Sequence, residues 1–357
     1  MGGYLWQVLI DSFVGGKQMA RTNRRDVLAA GEMQVVHCIN RCVRRADLCG
    51  QDPVIGTDYE HRRELIRQRL EFLARIMGIE VLGYSVMSNH FHCILRSRYD
   101  VVETWSDEDV ARKWWLLCPA RKTKEGLPAK PTEFELNSIR NDARGLKEKR
   151  VRLSSVSWFM RFLSERVAKI ANKQDQCSSR FWEGRFRGQI LLDSAAILAC
   201  MQYVDLNPVR ANIATSPESS DFTSAQDRLV DLQTAEEVST PDAQDNRIEY
   251  GERAGWLALI PLEPKRQAVR AKKPVRRASN KGCLSMGLGD YLQLLDWTGR
   301  QIRSDKRGAM PANLEPVFEA APQCCLLYAD VHIEMDSPVT PLPSYSVEMD
   351  GPVTPSY

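Results

Sequence analysis

Long apolar runs are absent from this 357-residue chain. Nothing approaches the roughly 18 to 20 consecutive apolar residues that a membrane-spanning helix requires, so no membrane association is expected. The C-x-x-C spacing of metal-binding cysteines is missing too. Ten cysteines are present, but no C-x-x-C occurs, and the nearest approach to a cluster (Cys38, Cys42 and Cys49) is irregularly spaced. A structural zinc site usually shows tightly paired ligands. Reduced, mostly buried thiols in a cytoplasmic protein are the better expectation. The first 18 residues hold a short apolar stretch, Tyr4 to Ile10, without a basic leader or an Ala-x-Ala site, which argues against a secretory signal. Met19 is followed at once by Arg21, Arg24 and Arg25, so the working protein is expected to start there, with residues 1–18 as an extension. No G-x-x-x-x-G-K-[ST] phosphate loop occurs, and no Ser, Cys or paired-carboxylate signature points to a hydrolase. Strong charge of one sign is also lacking, since the net charge is only +3.

What is present is ordinary for a globular protein: 43% hydrophobic and 27% charged residues. The length suits one well-cored domain plus an appendage, or two domains. The basic residues are distributed unevenly. Arg41, Arg44 and Arg45 cluster early; Arg180, Arg185 and Arg187 interleave with Phe181, Trp182 and Phe186; Lys265 to Lys281 is a dense basic run. Local basic patches on a near-neutral chain fit binding of a polyanion at defined places. Guanidinium groups would hold phosphates, and aromatic rings would stack unpaired bases. The same text equally describes core aromatics on a strand with arginines on its solvent side.

Met33 to Asn40 reads as a strand. Tyr59 to Met77 carries apolar residues at helical spacing and is followed by Gly78, a residue suited to a helix C-cap. Glu80 to Val86 and His90 to Leu95 read as two strands joined by a turn at Ser88-Asn89. Val101 to Arg152 is charged and interrupted; it predicts an insertion with helices over Asp107 to Leu117 and Glu133 to Arg150. A stronger helix spans Ser157 to Asn172, and Phe181 to Leu192 looks extended. Asp193 or Ser194 then caps a helix that runs to about Leu206 and is closed by Pro208. Beyond, Thr215 to Asp245 predicts a loop and short helix, and Asp290 to Ile302 one more helix. The latter lies in a region of linker and small helices (residues 231–317) that follows a domain over 19–230. The Pro-rich tail, residues 318–357, repeats E-M-D-[SG]-P-V-T-P and reads as unable to bury a core.

Two constellations carry chemistry. In His90-Phe91-His92, strand alternation puts both imidazoles on one face and Phe91 in the core, which makes a pair of metal ligands. An H-x-H pair alone also describes two polar residues on a half-exposed strand. Tyr203 and Asn207 stand one helical turn apart. The phenol can act as a nucleophile, and the amide oxygen suits a hard divalent cation. By itself, a tyrosine on an amphipathic helix is usually a core residue. Together the four make one coherent site: a divalent metal (Mg2+ or Mn2+) on His90, His92 and Asn207 polarising a phosphate, with Tyr203 attacking it in line. The product would be a 5′-phosphotyrosine link and a free 3′-hydroxyl, which is strand transfer rather than hydrolysis.

YSVMSNHFHCILR resembles the MPNHxH signature of HUH single-tyrosine transposases, and FWEGRFRGQILLDSAAILACMQYVDLNPVRANI resembles their second block, in which a tyrosine precedes an NPVRA run. The likeness is nearest to the REP-associated tyrosine transposase branch and covers roughly Arg24 to Arg228. It implies an α+β fold with a ferredoxin-like HUH core: an antiparallel sheet bearing the two histidines, with the tyrosine helix packed nearby. It also implies His90 and His92 as metal ligands, Tyr203 as catalytic nucleophile and Asn207 in a third-ligand place that is glutamine in some members. Arg44, Arg45, Arg180, Trp182, Arg185, Arg187 and Arg210 become the expected DNA-binding residues. The partner would be single-stranded or hairpin DNA, with room for a homodimer. Ser88 departs from the family's frequent proline, and the Val101 to Arg152 insertion is longer than usual. Two other readings stay open: an HUH replication or conjugation initiator, against which the missing phosphate loop argues, and a regulator that binds DNA without cutting it.

Overall fold

The computed structural model describes residues 31–43, 48–51, 56–238, 253–261, 276–302 and 304–317. All of them fall in one compact unit, Thr22–Glu319. The second unit, Met1–Arg21 with Ala320–Tyr357, lies outside the described residues, as do Arg44, Arg45, most of the basic run and the repeated tail.

The strands β1 (Val35–Arg41), β2 (Ile79–Val86), β3 (His90–Ser97) and β4 (Arg187–Leu191) form one sheet in the order β2-β3-β1-β4. Every neighbouring pair is antiparallel. Helix α1 (His61–Ile76) connects β1 to β2. After β3 the chain forms α2 (Tyr99–Glu103), α3 (Asp107–Leu117), α4 (Glu133–Arg140) and α5 (Ala143–Leu153), and then the long α6 (Val156–Gln174) that leads to β4. Without α2 to α5 the order is β-α-β-β-α-β, the split ferredoxin-like arrangement. The fold is therefore α+β with a four-stranded antiparallel sheet, and α2 to α5 stand between β3 and α6.

Alternation along the strands divides the core. Val36, Cys38, Phe91, Cys93 and Leu95 face one way and pack with Ile66, Leu70 and Leu73 of α1 and Phe159, Leu163 and Val167 of α6. The apolar positions of α1 recur at helical spacing, which is why that helix buries one stripe here. It ends because Met77 turns extended, with ψ 154°. Gly78 is not a left-handed cap: a Cβ there would run into the Val102 side chain, so close packing demands the glycine. The expected helix over Glu133 to Arg150 is broken at Asn141. Asp142 restarts it by accepting a hydrogen bond from Gly145 N at 2.9 Å.

The opposite sheet face is also covered. Helix α7 (Ser194–Asp205) crosses it, followed by the single turn α8 (Asn207–Arg210) and by α9 (Ser224–Val238). Gly83 lets α9 approach β2, since an added Cβ would sit 3.2 Å from Ser224 Oγ. Part of the region expected to hold linker and small helices joins this layer. Leu288, Tyr291, Leu292 and Leu295 of α10 (Leu288–Arg300) are buried against Met201, Val204 and Leu206, whereas Trp256 is wholly buried beside Tyr84 in the core of the first face. Ala258 N donates to Val81 O at 2.8 Å, and Arg228 fills the irregularity at Val81/Gly83 by donating to Leu82 O. Buried residues of 253–261, 276–302 and 304–317 thus pack in the same cores as the sheet. No helix among the described residues is long and apolar enough to cross a membrane.

Candidate active site and nucleic-acid interface

Strand register assembles the site. In β3, His90 lies opposite Arg41 and His92 opposite Ile39. Directly opposed residues share a face, so His90, His92, Ile39 and Arg41 stand together, with His37 next on β1. The face is turned toward α7. Asp193 caps that helix by accepting from Ala196 N at 2.7 Å, and Tyr203 lies in its last turn. The Tyr203 ring centroid is 5.6 Å from that of His92 and 6.1 Å from that of His37. Asn207 does not continue α7, which ends at Asp205. It opens α8, while the backbone stays in the helical region at Leu206. The one-turn spacing survives, and Asn207 Nδ2 comes within 3.1 Å of His92 Nε2. His90, His92, Tyr203 and Asn207, scattered over more than a hundred positions, therefore converge.

A buried carboxylate sets the α7–α8 junction. Asp205, between the two site residues, accepts from Ser224 Oγ at 2.5 Å, Ala225 N at 3.0 Å and Tyr291 Oη at 2.5 Å. The helix end bearing Tyr203 is tied in this way to α9 and α10.

Burial dominates the electrostatics. It lowers the His37 pKa to about 4. It does the same at His90, with a smaller contribution from Arg41. His92 falls well below its usual value, by burial first and then by the neighbouring His37 and His90. At neutral pH all three rings are uncharged, so each keeps a nitrogen lone pair, as a metal ligand must. Burial raises the Tyr203 phenol, with Cys200 adding to the shift, and the hydrogen bond to Asn207 partly offsets it. Tyr203, His90 and Asn207 are half-buried, whereas His37 and His92 are 2% exposed. A substrate would thus arrive on the side of the first three.

Among the described residues, no three His, Cys, Asp or Glu side chains form a metal-binding group. The donors that fit a divalent ion are two neutral imidazoles and the Asn207 amide, which already points at His92. The amide's O and N are interchangeable by rotation.

The expected DNA-binding residues divide. Arg180, Arg185 and Arg187 are exposed, and Arg187, opposite Ile39 on the edge strand, shares the histidine face. Arg41, exposed beside His90, joins them; the sequence had grouped it with the basic residues only by proximity. Trp182 is corrected. It is 8% exposed, edge-on to Phe91 and Phe181, and its Nε1 donates to Ser164 O at 2.9 Å. That ring is core and offers no face to a base. Arg210 is turned toward the protein. Its guanidinium donates to the carbonyls of Thr298 (2.6 Å) and Gln301 (2.8 Å), capping the end of α10. Sequence reasoning passed over His37. A histidine inside an otherwise apolar strand was the available signal, but only the β1–β3 pairing shows what it touches.

No family model matches the chain, and no curated protein matches it. One solved structure, a REP-associated tyrosine transposase bound to a REP hairpin, is similar over 60% of this chain and 86% of that chain, at 12% identity and a TM-score of 0.34. Fold and site stand on the chain's own geometry.

Proposed function

We propose that this protein is a transposase-like enzyme that cuts and rejoins single-stranded or hairpin DNA through Tyr203. The convergence of Tyr203 and Asn207 with His90 and His92 on one sheet face carries the reading. The Tyr203 oxygen would attack the scissile phosphorus, giving up its proton to solvent. The P–O3′ bond breaks, the 3′-oxygen takes a proton and leaves as a free hydroxyl, and a 5′-phosphotyrosine bond forms. Reversal by another 3′-hydroxyl rejoins a strand without outside energy. His90, His92 and Asn207 would hold a divalent ion, Mg2+ or Mn2+, whose chemistry is to draw charge from a phosphate oxygen and the leaving oxygen. Arg41 and Arg187, exposed on the same face, would bring the backbone phosphates to Tyr203; Arg180 and Arg185 extend the charge outward.

Incubating the protein with labelled single-stranded oligonucleotides from the DNA flanking its gene, with Mg2+ or Mn2+, tests the reading. A denaturation-resistant protein–DNA adduct is expected, dependent on metal, lost on adding EDTA and absent from Tyr203→Phe. Tight DNA binding by both proteins with no adduct would instead identify a DNA-binding regulator without catalysis.

A further inference from the structure

Buried among the site residues is a histidine that the proposed reaction does not use. His37 lies within β1, 2% exposed, on the face that bears His90 and His92. Its Nε2 is 3.0 Å from His92 Nδ1. The two rings meet edge to edge, with centroids 5.2 Å apart and planes 18° from parallel. A polar ring so deeply buried costs stability unless it is hydrogen-bonded, and here it is bonded to the histidine whose other nitrogen faces Asn207 at 3.1 Å.

We infer that His37 is a positioning residue: it fixes His92 in the tautomer that carries its proton on Nδ1 and presents the Nε2 lone pair to the site. This rests on the reading of His92 as a metal ligand. A neutral imidazole has one N–H and one lone pair. For Nε2 to present the lone pair, Nδ1 must hold the proton, and the His37 Nε2 lone pair is placed to accept it. His37 is thereby a partner of His92 rather than a third ligand, because its Nε2 is directed at the neighbouring ring. His90 follows the same plan with a different acceptor. Its Nδ1 lies 2.6 Å from Asn89 Oδ1, so both candidate ligands have Nδ1 tied back, and the Nε2 of His92 is turned to Asn207. Hydrogen bonds of this kind orient a ligand and raise its basicity, and losing one typically costs about 10- to 100-fold in metal affinity.

Three replacements separate this role from space-filling. His37→Leu and His37→Phe occupy the volume without an acceptor, whereas His37→Gln retains a carbonyl oxygen that can accept from His92 Nδ1. Mn2+ affinity of the full chain is measured by EPR titration, alongside thermal unfolding and metal-free binding to a single-stranded oligonucleotide. The Leu and Phe variants are expected to lose about 10- to 100-fold in Mn2+ affinity, with Gln returning close to wild type and DNA binding unchanged in all three. Should Leu unfold, the Phe–Gln comparison decides. Apolar variants that bind Mn2+ as tightly as wild type, or a Gln variant no better than Phe, would overturn the inference. Pulsed EPR of bound Mn2+ should show two coordinated imidazoles in wild type and in His37→Gln; three falling to two would make His37 a ligand and overturn it as well. If wild type and His90→Ala bind Mn2+ alike, the ligand reading itself fails and this inference falls with it.

Discussion

Arg187 and Trp182 sit close together in the sequence, yet one faces solvent beside the histidines and the other is locked in the core. Their substitutions should therefore differ in kind. Arg187→Ala is expected to weaken binding of single-stranded DNA and to reduce the slope of log affinity against log salt by about 0.7, the value for one lost phosphate contact on a single strand. Trp182→Ala should leave that slope alone and destabilise the fold by about 3 to 5 kcal/mol, as truncating a buried aromatic does. Affinity against salt and urea unfolding read the two effects separately. A stable Trp182→Ala protein with impaired DNA binding would restore Trp182 as a stacking platform. The sequence could not divide these residues, because the side on which a strand's aromatics lie depends on a partner strand that is distant in the chain. His90, His92, Tyr203 and Asn207 were legible for the opposite reason. Their spacings of two and four match the periods of strand and helix, so each pair declares a shared face locally. His37 belongs to no such pair, and its contact with His92 exists only through the pairing of β1 with β3.

At the scale of elements, the α7–α8 junction determines where the phenol and amide stand. Asp205 is buried and takes three hydrogen bonds, from α9 and α10. Tyr291→Phe removes one of them and should cost about 1.5 to 3 kcal/mol, the range for a bond to a charged group. Asp205→Ala strands all three donors and should cost more, about 3 to 5 kcal/mol. Urea unfolding measures both losses. A Tyr291→Phe variant as stable as wild type would mean that α10 does not brace the tyrosine helix. Most helices were visible beforehand because an apolar stripe and a capping residue coincide, as at Asp193 before α7. The break at Asn141 was not, since the charged text on either side keeps helical propensity throughout. Only the Asp142 side chain, bonding back to Gly145, shows that the chain turns there.

For the whole described unit, the instructive case is the region first read as linker. Its composition is polar and basic, and composition is an average. Among its apolar residues Trp256, Leu288, Tyr291, Leu292 and Leu295 are fully buried, whereas Trp297 and Ile302 are exposed. The four from α10 cover Met201, Val204 and Leu206 on the layer that carries Tyr203, and Trp256 packs beside Tyr84 in the core on the other sheet face. A chain ending at Val238 should consequently lose its cooperative thermal unfolding, or unfold at a markedly lower temperature, because a buried Trp and several buried Leu each contribute a few kcal/mol against a total stability of about 5 to 15 kcal/mol. A chain ending at Glu319 retains every residue of the described core and should melt like the full-length protein. If the shorter chain instead unfolded as sharply and at the same temperature as the longer one, residues 253–317 would be dispensable to the core, and α7 would be held by the sheet and α9 alone.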